Sequence, residues 1–350
     1  MWVFCVIMGS KPIFYYFCSN LIYFTMKKFK YFFLSIFIFA SGKSFSQAIP
    51  EEGREIINDF LILADGFATP AAESAAYQGT ASWFTSARAL EPWKVDVSLH
   101  ANALFVPSSK KEFTVNNGDF ANLTINDGDR GAVIPTAFGS DSEVMFNGTF
   151  MGEDFSFQAL EGIDKGALFY PFAQVSVGLP YGFQLGVRAL PELEVDGSKF
   201  STYGVGLKYN ISQFFRYNKE EDLQVAAILA YDIFDVGYEF EQVSVPGLVN
   251  LNEIDVSAGI WMAEMMASKR YENFEIFGAL GVAQSDFEYE FGGNGLGLGL
   301  VNSELATLND KEAQFKGDIG FNLYFNKFKV STMATAGKFV NLNVGLHFLL

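Results

Sequence analysis

From Trp93 onward, apolar and polar side chains alternate over runs of about ten residues, the length and period of a membrane-crossing strand with one lipid face. Trp93, Val95, Val97, Leu99, Ala101, Ala103 and Phe105 alternate with Lys94, Asp96, Ser98, His100 and Asn102. The period recurs in Phe169–Leu179, Phe183–Glu192, Phe200–Ile211, Leu223–Tyr238, Ile254–Ala267, Phe274–Phe291, Ala313–Phe325, Phe328–Ala336 and Val340–Leu350. A hairpin around Met151-Gly152, within 143–160, adds two more strands. The expected fold is all-β: a transmembrane antiparallel up-and-down β-barrel of about twelve strands (range about ten to fourteen), with a short N-terminal helix. A soluble sandwich has shorter strands and fewer outward aromatics.

The connections fit that fold. Asn326-Lys327 and Pro180-Tyr181-Gly182 are tight, whereas 239–253 and 292–312 are long, as expected of periplasmic turns and extracellular loops. The last strand places Val340, Leu342, Val344, Leu346, Phe348 and Leu350 on one face. Such a strand is the signal expected to engage the barrel-assembly machinery.

Composition narrows the class further. Half the residues are hydrophobic, 17% are aromatic and only 18% are charged, against about 25% charged in soluble domains. A disordered chain would lack the aromatics. Helical membrane spans need apolar runs of about 20 residues, and such runs occur only before residue 46. Beyond that point lie 19 basic and 40 acidic residues. Nucleic-acid binding, which requires clustered Lys and Arg, is excluded.

Met26 opens a basic stretch, Lys27-Lys28-Phe29-Lys30, followed by apolar Tyr31–Ala40 and then Ser44 and Ser46 at −3 and −1. This is the pattern of a secretory signal peptide cleaved between Ser46 and Gln47. The domain reading is an upstream extension (1–25), a signal peptide (26–46), a helical plug segment (47–92) and an outer-membrane barrel (93–350). Both cysteines, Cys5 and Cys18, precede Met26, so the exported chain has no disulfide, Cys–zinc site or Cys nucleophile.

Residues 50–66 read as a helix, with Ile56, Ile57, Phe60, Leu61 and Ala64 on one face, acidic Glu51 and Glu52 in the first turn and Gly66 at its close. That apolar face needs a partner. Ile49–Gly79 is therefore expected to fold into the lumen as a plug, against inward residues such as Phe277 and Trp261. A periplasmic helix docked on another protein is the alternative.

The stretches AQVSVGLPYGFQLGVRALPELEV (173–195) and YGVGLKYNISQFF (203–215) contain Gly178-Leu179-Pro180, Arg188-Ala189-Leu190-Pro191 and Gly204–Lys208. With these motifs the chain resembles an uncharacterised family of Gram-negative outer-membrane β-barrel proteins, a domain of unknown function. Residues 80–106 and Ile134–Gly139 fit more loosely. In architecture the chain is similar to long-chain fatty-acid outer-membrane transporters, which also hold an N-terminal segment inside the barrel. The resemblance implies a barrel and assigns no activity.

The catalytic inventory is thin. His100 and His347 are the two histidines, both at strand positions where Asn or Ser would serve, so no enzyme, catalytic residue, metal or cofactor is expected. Asn116-Asn117-Gly118-Asp119 and Asn126-Asp127-Gly128-Asp129 lack EF-hand spacing and read as solvated turns. The candidate lumen-facing residues are Lys94, Asp96, Arg188, Glu192, Lys208, Lys316 and Asp318, which either set charge selectivity or pair across a closed lumen. The expected function is passive transport or binding of a small, apolar solute. The rival is a non-transporting barrel that works through loops 107–142, 239–253 and 292–312.

Overall fold

A computed structural model describes residues 50–125, 130–195, 198–214, 223–306 and 311–350. The extension, the signal peptide, the Ser46–Gln47 junction and Asn126–Asp129 lie outside the described residues. The chain forms α1 (Glu51–Thr80), β1 (Val95–Phe105), β2 (Glu112–Asn116), β3 (Thr124–Ile125), β4 (Gly131–Pro135), β5 (Met145–Phe150), β6 (Glu153–Gln158) and β7 (Ala167–Gly178). There follow β8 (Phe183–Val195), β9 (Ser198–Asn210), β10 (Gln224–Val245), β11 (Val249–Tyr271), β12 (Phe274–Asn294), α2 (Leu298–Leu305), β13 (Lys311–Phe325), β14 (Phe328–Ala336) and β15 (Val340–Leu349).

Strands β1 and β7–β15 close one antiparallel barrel, sealed by β1 pairing with both β15 and β7. The 143–160 hairpin forms, as β5–β6, but joins β3 in a separate three-stranded sheet. Ten strands rather than twelve therefore build the wall. Six-residue strands are too short to span a bilayer, and their aromatic faces, Phe146, Phe150, Phe155 and Phe157, pack against α1 instead.

Alternation places Leu99, Val187, Leu229, Leu280, Ile319 and Leu346 outward and exposed, while Ser98, Arg188, Ser331 and Asn343 turn inward and are buried. Aromatic pairs Phe183–Tyr209, Phe274–Phe321 and Phe328–Phe348 ring the end with the tight turns, and Tyr231–Trp261 stacks on the outer face higher up. An apolar wall edged with aromatics is what a lipid-embedded barrel presents, and the chain is an outer-membrane β-barrel by this architecture. Phe277 faces inward as expected. Trp261 does not: it is 62% exposed on the lipid face, because inward positions of β11 are the even ones, from Ile254 through Ser268.

Helix α1 runs 30 residues, about 45 Å at 1.5 Å per residue, well past the expected close at Gly66. Ala71, Ala72, Ala75 and Ala76 favour helix strongly enough to carry it through Pro70. Gly66 serves packing rather than termination, since a Cβ there would enter the ring of Phe113. The first half of α1 lies in a cap beyond the membrane, and the second half lies in the lumen.

Strands β10, β11 and β12 have 22, 23 and 21 residues, twice what a bilayer needs. Most of the expected 239–253 loop is therefore strand, and 292–312 contains α2. The extensions persist because Val243, Val245, Leu251 and Phe291 bury against Ile56, Ile57, Phe60, Phe146 and Val301. On their outer side, Asp255 is pushed upward in pKa by partial burial and then by Glu253 and Glu290.

The cap is tied to α1 by one carboxylate. Asp59, nearly fully buried, accepts the backbone N–H groups of Ala121, Asn122 and Leu123 at 2.8, 2.7 and 2.8 Å. Asp59→Ala should cost about 2–4 kcal/mol locally, because three donors lose a charged acceptor. Hydrogen exchange at 121–123 should accelerate by about thirtyfold to several hundredfold, the ratio that such a loss converts to; unchanged exchange would show that water replaces the carboxylate at no cost.

Candidate functional site

Past Thr80 the chain leaves the helix and runs through 81–92 to the turn end of the barrel, where Trp93 N–H donates to the Gly178 carbonyl at 2.7 Å. A helix C-terminus leaves carbonyls without internal partners and carries partial negative charge. The lumen meets these carbonyls with cations. Arg188 donates to Gly79 O at 3.2 Å and Ala81 O at 2.6 Å, and Lys316 donates to Thr80 O at 3.0 Å.

Further down, Lys208 donates to Ser86 O and Arg88 O at 2.7 and 2.6 Å. Side-chain amides serve the carbonyls between them: Gln174 that of Trp83, Asn322 that of Thr85 and Asn210 that of Ala87. Carboxylates balance the buried cations. Asp232 lies 3.7 Å from Arg188, and Glu264 and Asp318 each lie 2.9 Å from Lys316. Higher in the lumen, Glu73 on α1 pairs with Lys338 at 2.9 Å and with Lys110.

Of the seven residues expected to face the lumen, Asp96, Arg188, Lys208, Lys316 and Asp318 are inward and buried. Arg188, Lys208 and Lys316 hold the plug by its backbone, and Asp318 neutralises Lys316. Asp96 pairs with Lys329 at 3.4 Å and His347 at 3.0 Å. Lys94 stands at the rim of the turn end. Glu192 is not in the lumen: a register shift between Leu190 and Leu193 displaces it, and it lines an outer groove with Lys199, Ser201 and Asp235.

Trp83 is the wedge of the plug. Its Nε1–H donates to Gly79 O at 2.9 Å, and the Arg188 guanidinium lies 3.9 Å from its ring centre, a cation–π contact shielded from water. The other side of the ring fills a notch at Gly204 and Gly206, where a Cβ would come within 2.8 and 2.6 Å of it. At Gly178 a Cβ would collide with the carbonyl of Glu91. Each motif that carried the family resemblance thus touches the 79–91 segment. Gly206→Val should destabilise the barrel by about 1–3 kcal/mol through overpacking, and Trp83→Ala in the same chain should relieve it. Urea unfolding of both variants checks this, and equal loss with and without Trp83 would rule out the notch.

Asp232, Glu264 and Trp83 escaped sequence reasoning. The two carboxylates occupy inward period-two positions of strands otherwise rich in Ala, Ile and Met, which was the available signal. The Asn116–Asp119 turn is closed by its own capping box. No metal-ligating cluster occurs among the described residues.

One constellation has an acid–base–hydroxyl order. Both Asp96 carboxylate oxygens lie 3.0 Å from His347 Nδ1, and His347 Nε2 lies 2.9 Å from Ser331 Oγ. Ser331 is fully buried and faces His100 and Gly345. The backbone around it is committed to the ladders with β13 and β15. The Ser331 hydroxyl has no exposed surface, whereas the nucleophile of acyl transfer must be reached by substrate.

Two spaces flank the plug. At the turn end a polar vestibule of about 710 Å³ is lined by Trp83, Phe84, Lys94, Asp96, Lys208 and His347 among others. In the cap, an apolar cavity of about 30 Å³ lies beside α1 between Phe60, Phe67, Phe113, Phe157, Phe240 and Phe291.

A family model matches residues 26–350, spanning the plug, the clamps and the whole barrel. The chain belongs to DUF6588, a family of unknown function. No curated protein matches it. Among solved structures, the DUF6588 chain is similar to the β domain of the Bordetella autotransporter BrkA at 6% identity, covering 73% of this chain and 98% of that one with a TM-score of 0.32. An outer-membrane channel from Pseudomonas putida F1 shares 10% identity, with 75% and 97% covered and a TM-score of 0.29. The toluene transporter TbuX of Ralstonia pickettii shares 8% identity, with 74% and 90% covered and a TM-score of 0.28.

Proposed function

We propose that this DUF6588 protein passes a small apolar solute across the outer membrane, with α1 and the 81–92 segment closing the direct path through the lumen. One observation carries this reading: an aromatic-lined cavity lies beside the plug helix in the cap, while a roomy vestibule lies on the plug's far side. The cap cavity holds only a small group as it stands, far below the 300 Å³ or so of a typical preformed ligand site. A solute must therefore part α1 from the Phe113 hairpin to enter. The protein is non-enzymatic in this reading and needs no cofactor. Lipid covers the outward face, the assembly machinery engages β15, and signal cleavage after Ser46 precedes both.

Uptake of the fluorescent apolar probe N-phenyl-1-naphthylamine into a deletion strain tests it. Cells carrying the wild-type chain should accumulate probe faster than the deletion strain. Ala64→Trp, which fills the cavity, should abolish the gain while heat-modifiable migration on a gel persists. Equal uptake with and without the protein would sink the reading. A non-transporting surface barrel is the second reading, supported by the ordered cap sheets with exposed Val133 and Met151; a protein pulled down by wild type and lost on Val133→Lys would favour it.

A further inference from the structure

Among the described residues the lumen buries four basic side chains, Arg188, Lys208, Lys316 and Lys329. Three have a carboxylate beside them. Asp232 serves Arg188, Glu264 and Asp318 serve Lys316, and Asp96 serves Lys329. Lys208 is the exception. It is 2% exposed, and its ammonium is met by the carbonyls of Ser86 and Arg88 and by the ring of Phe84 at 4.9 Å. Asp96 and Glu275 act on it only from farther away, and both are engaged elsewhere: Asp96 by Lys329 and His347, Glu275 by Ser86, Asn322 and Tyr324. Carbonyl oxygens solvate a buried ammonium but leave its charge uncompensated. An ammonium has three N–H donors, so one remains beyond the two carbonyls.

Lys208 does not face a dry interior. It lines the vestibule of about 710 Å³ at the turn end, which the short turns place on the periplasmic side. Six of the 19 basic side chains beyond residue 46 line this space, against two of the 40 acidic ones, Glu91 and Asp96. The vestibule thus reverses the charge balance of the chain. Arg88 lies 3.8 Å from Glu275, and Lys329 is spent on Asp96. Lys94, Arg270 and Lys327 have no carboxylate partner among the described residues. Opposing them in the lining are Glu91 and the carboxylate of Leu350, neither of them in an ion pair among the described residues.

These three cations are neighbours along the rim. Lys94 precedes β1 and Lys327 sits in the β13–β14 turn, with the end of β15 between them: Leu349 N–H donates to Lys327 O, and Leu350 N–H donates to Val95 O. Arg270, near the end of β11, is one hairpin farther round, where Tyr324 N–H donates to Asn273 O. Its guanidinium stacks 4.0 Å from the centre of the Tyr324 ring, and its Nε donates to Glu272 O at 2.7 Å. Both terminal nitrogens are left without a protein partner among the described residues. A guanidinium fixed in this way offers a fork to a carboxylate or a phosphate.

We propose that the vestibule binds a small oligoanion from the periplasm, with Lys208 at its floor and Lys94, Arg270 and Lys327 around its mouth. The ligand carries carboxylate or phosphate groups, the partners that ammonium and guanidinium groups recognise. A single ion serves Lys208 alone, whereas the space is that of a metabolite-sized site, for which pockets run about 300–1,000 Å³. Binding supplies Lys208 with the counter-charge that the fold withholds. It also draws an anion to a chain whose net charge otherwise repels one. The site is independent of the transport reading, since it requires neither an apolar solute nor a moving plug.

Calorimetric titration of the full-length protein in detergent at low salt, with inorganic tripolyphosphate and separately with citrate, tests it. One-to-one binding is expected. Binding of both assigns the site to charge, of tripolyphosphate alone to phosphate groups, and of citrate alone to carboxylates. K94E/K327E alters two exposed side chains without partners, so heat-modifiable migration should persist while affinity falls about tenfold or more. Lys208→Met should abolish binding; if that variant does not fold, the rim variant decides. K199Q, which loses only the outer ion pair with Glu239, should bind as wild type does. In the wild-type protein the bound anion should also protect Lys94 and Lys327 from a small water-soluble acylating reagent, while Lys199 reacts at its usual rate.

No binding of either anion would overturn the site. So would unchanged affinity in K94E/K327E, or an equal fall in K199Q, which would mean that anions adsorb to exposed lysines at large. Binding that leaves Lys94 and Lys327 unprotected would put the anion elsewhere and overturn it too.

Discussion

Deletion of residues 51–90, with the signal peptide kept, should turn a silent barrel into a conducting one. The full-length protein should give no resolvable steps in a planar bilayer, because α1 and the 81–92 segment close the lumen above the vestibule. The deleted form should give discrete ion-conducting steps. The barrel should survive the loss. Arg188, Lys208 and Lys316 would exchange plug carbonyls for water rather than face a dry interior, so the large cost of an uncompensated buried charge does not arise. The cap is less fortunate. Phe146, Phe157 and Val243 pack on Ile56, Ile57 and Phe60, and each large apolar side chain uncovered costs about 1.5–3 kcal/mol. Proteolysis should therefore cut the β2–β6 insertion in the deleted form while leaving β7–β15 protected. Silence of the deleted form, with intact heat-modifiable migration, would mean that something other than the plug closes the lumen.

The wall of this fold was legible because its rule is local. Lipid on one side and polar filling on the other impose a period of two, and that period is written in each strand separately. The inward residues follow from it, which is why Arg188, Lys208 and Lys316 are legible from the period alone. Their partners could not. Trp83, Gly79 and Ala81 are more than a hundred residues from Arg188 in sequence, and nothing local in either segment marks the other. The length of α1 was hidden for a related reason. Gly66 reads as a helix end, and the alanines beyond it, packed inside the barrel, carry the helix on to Thr80. The hairpin at 143–160 shows the limit of pattern reading from the other direction. Its alternation is real, but alternation alone does not distinguish a face turned to lipid from one turned to a helix.

Arg188→Met should be the most damaging single substitution in the barrel. Arg188 is 1% exposed and Asp232 beside it is equally buried. The guanidinium supplies the charge partner of Asp232, two hydrogen bonds to the plug and the cation stacked between Trp83 and Phe172, whose ring centre lies 4.3 Å away. Met restores the packing volume and none of the rest. It leaves a carboxylate buried beside two strands, still accepting from the Thr202 hydroxyl but without a charge partner. Breaking a buried pair from one side costs about 3–5 kcal/mol, and the orphaned helix-terminal carbonyls add to it. Removing Asp232 as well should recover much of that loss, since replacing both partners by apolar groups is often near neutral. The cycle of Arg188→Met, Asp232→Leu and the double variant, read by urea unfolding in detergent, isolates the pair. Trp83 supplies a second readout: its emission should shift to the red in Arg188→Met if the wedge leaves its notch. A double variant as unstable as Arg188→Met alone would show that the arginine acts on the plug carbonyls and not through Asp232. An unshifted Trp83 spectrum, by contrast, would show that the glycine notch holds the wedge without the cation, and that the clamp on this plug is shape before charge.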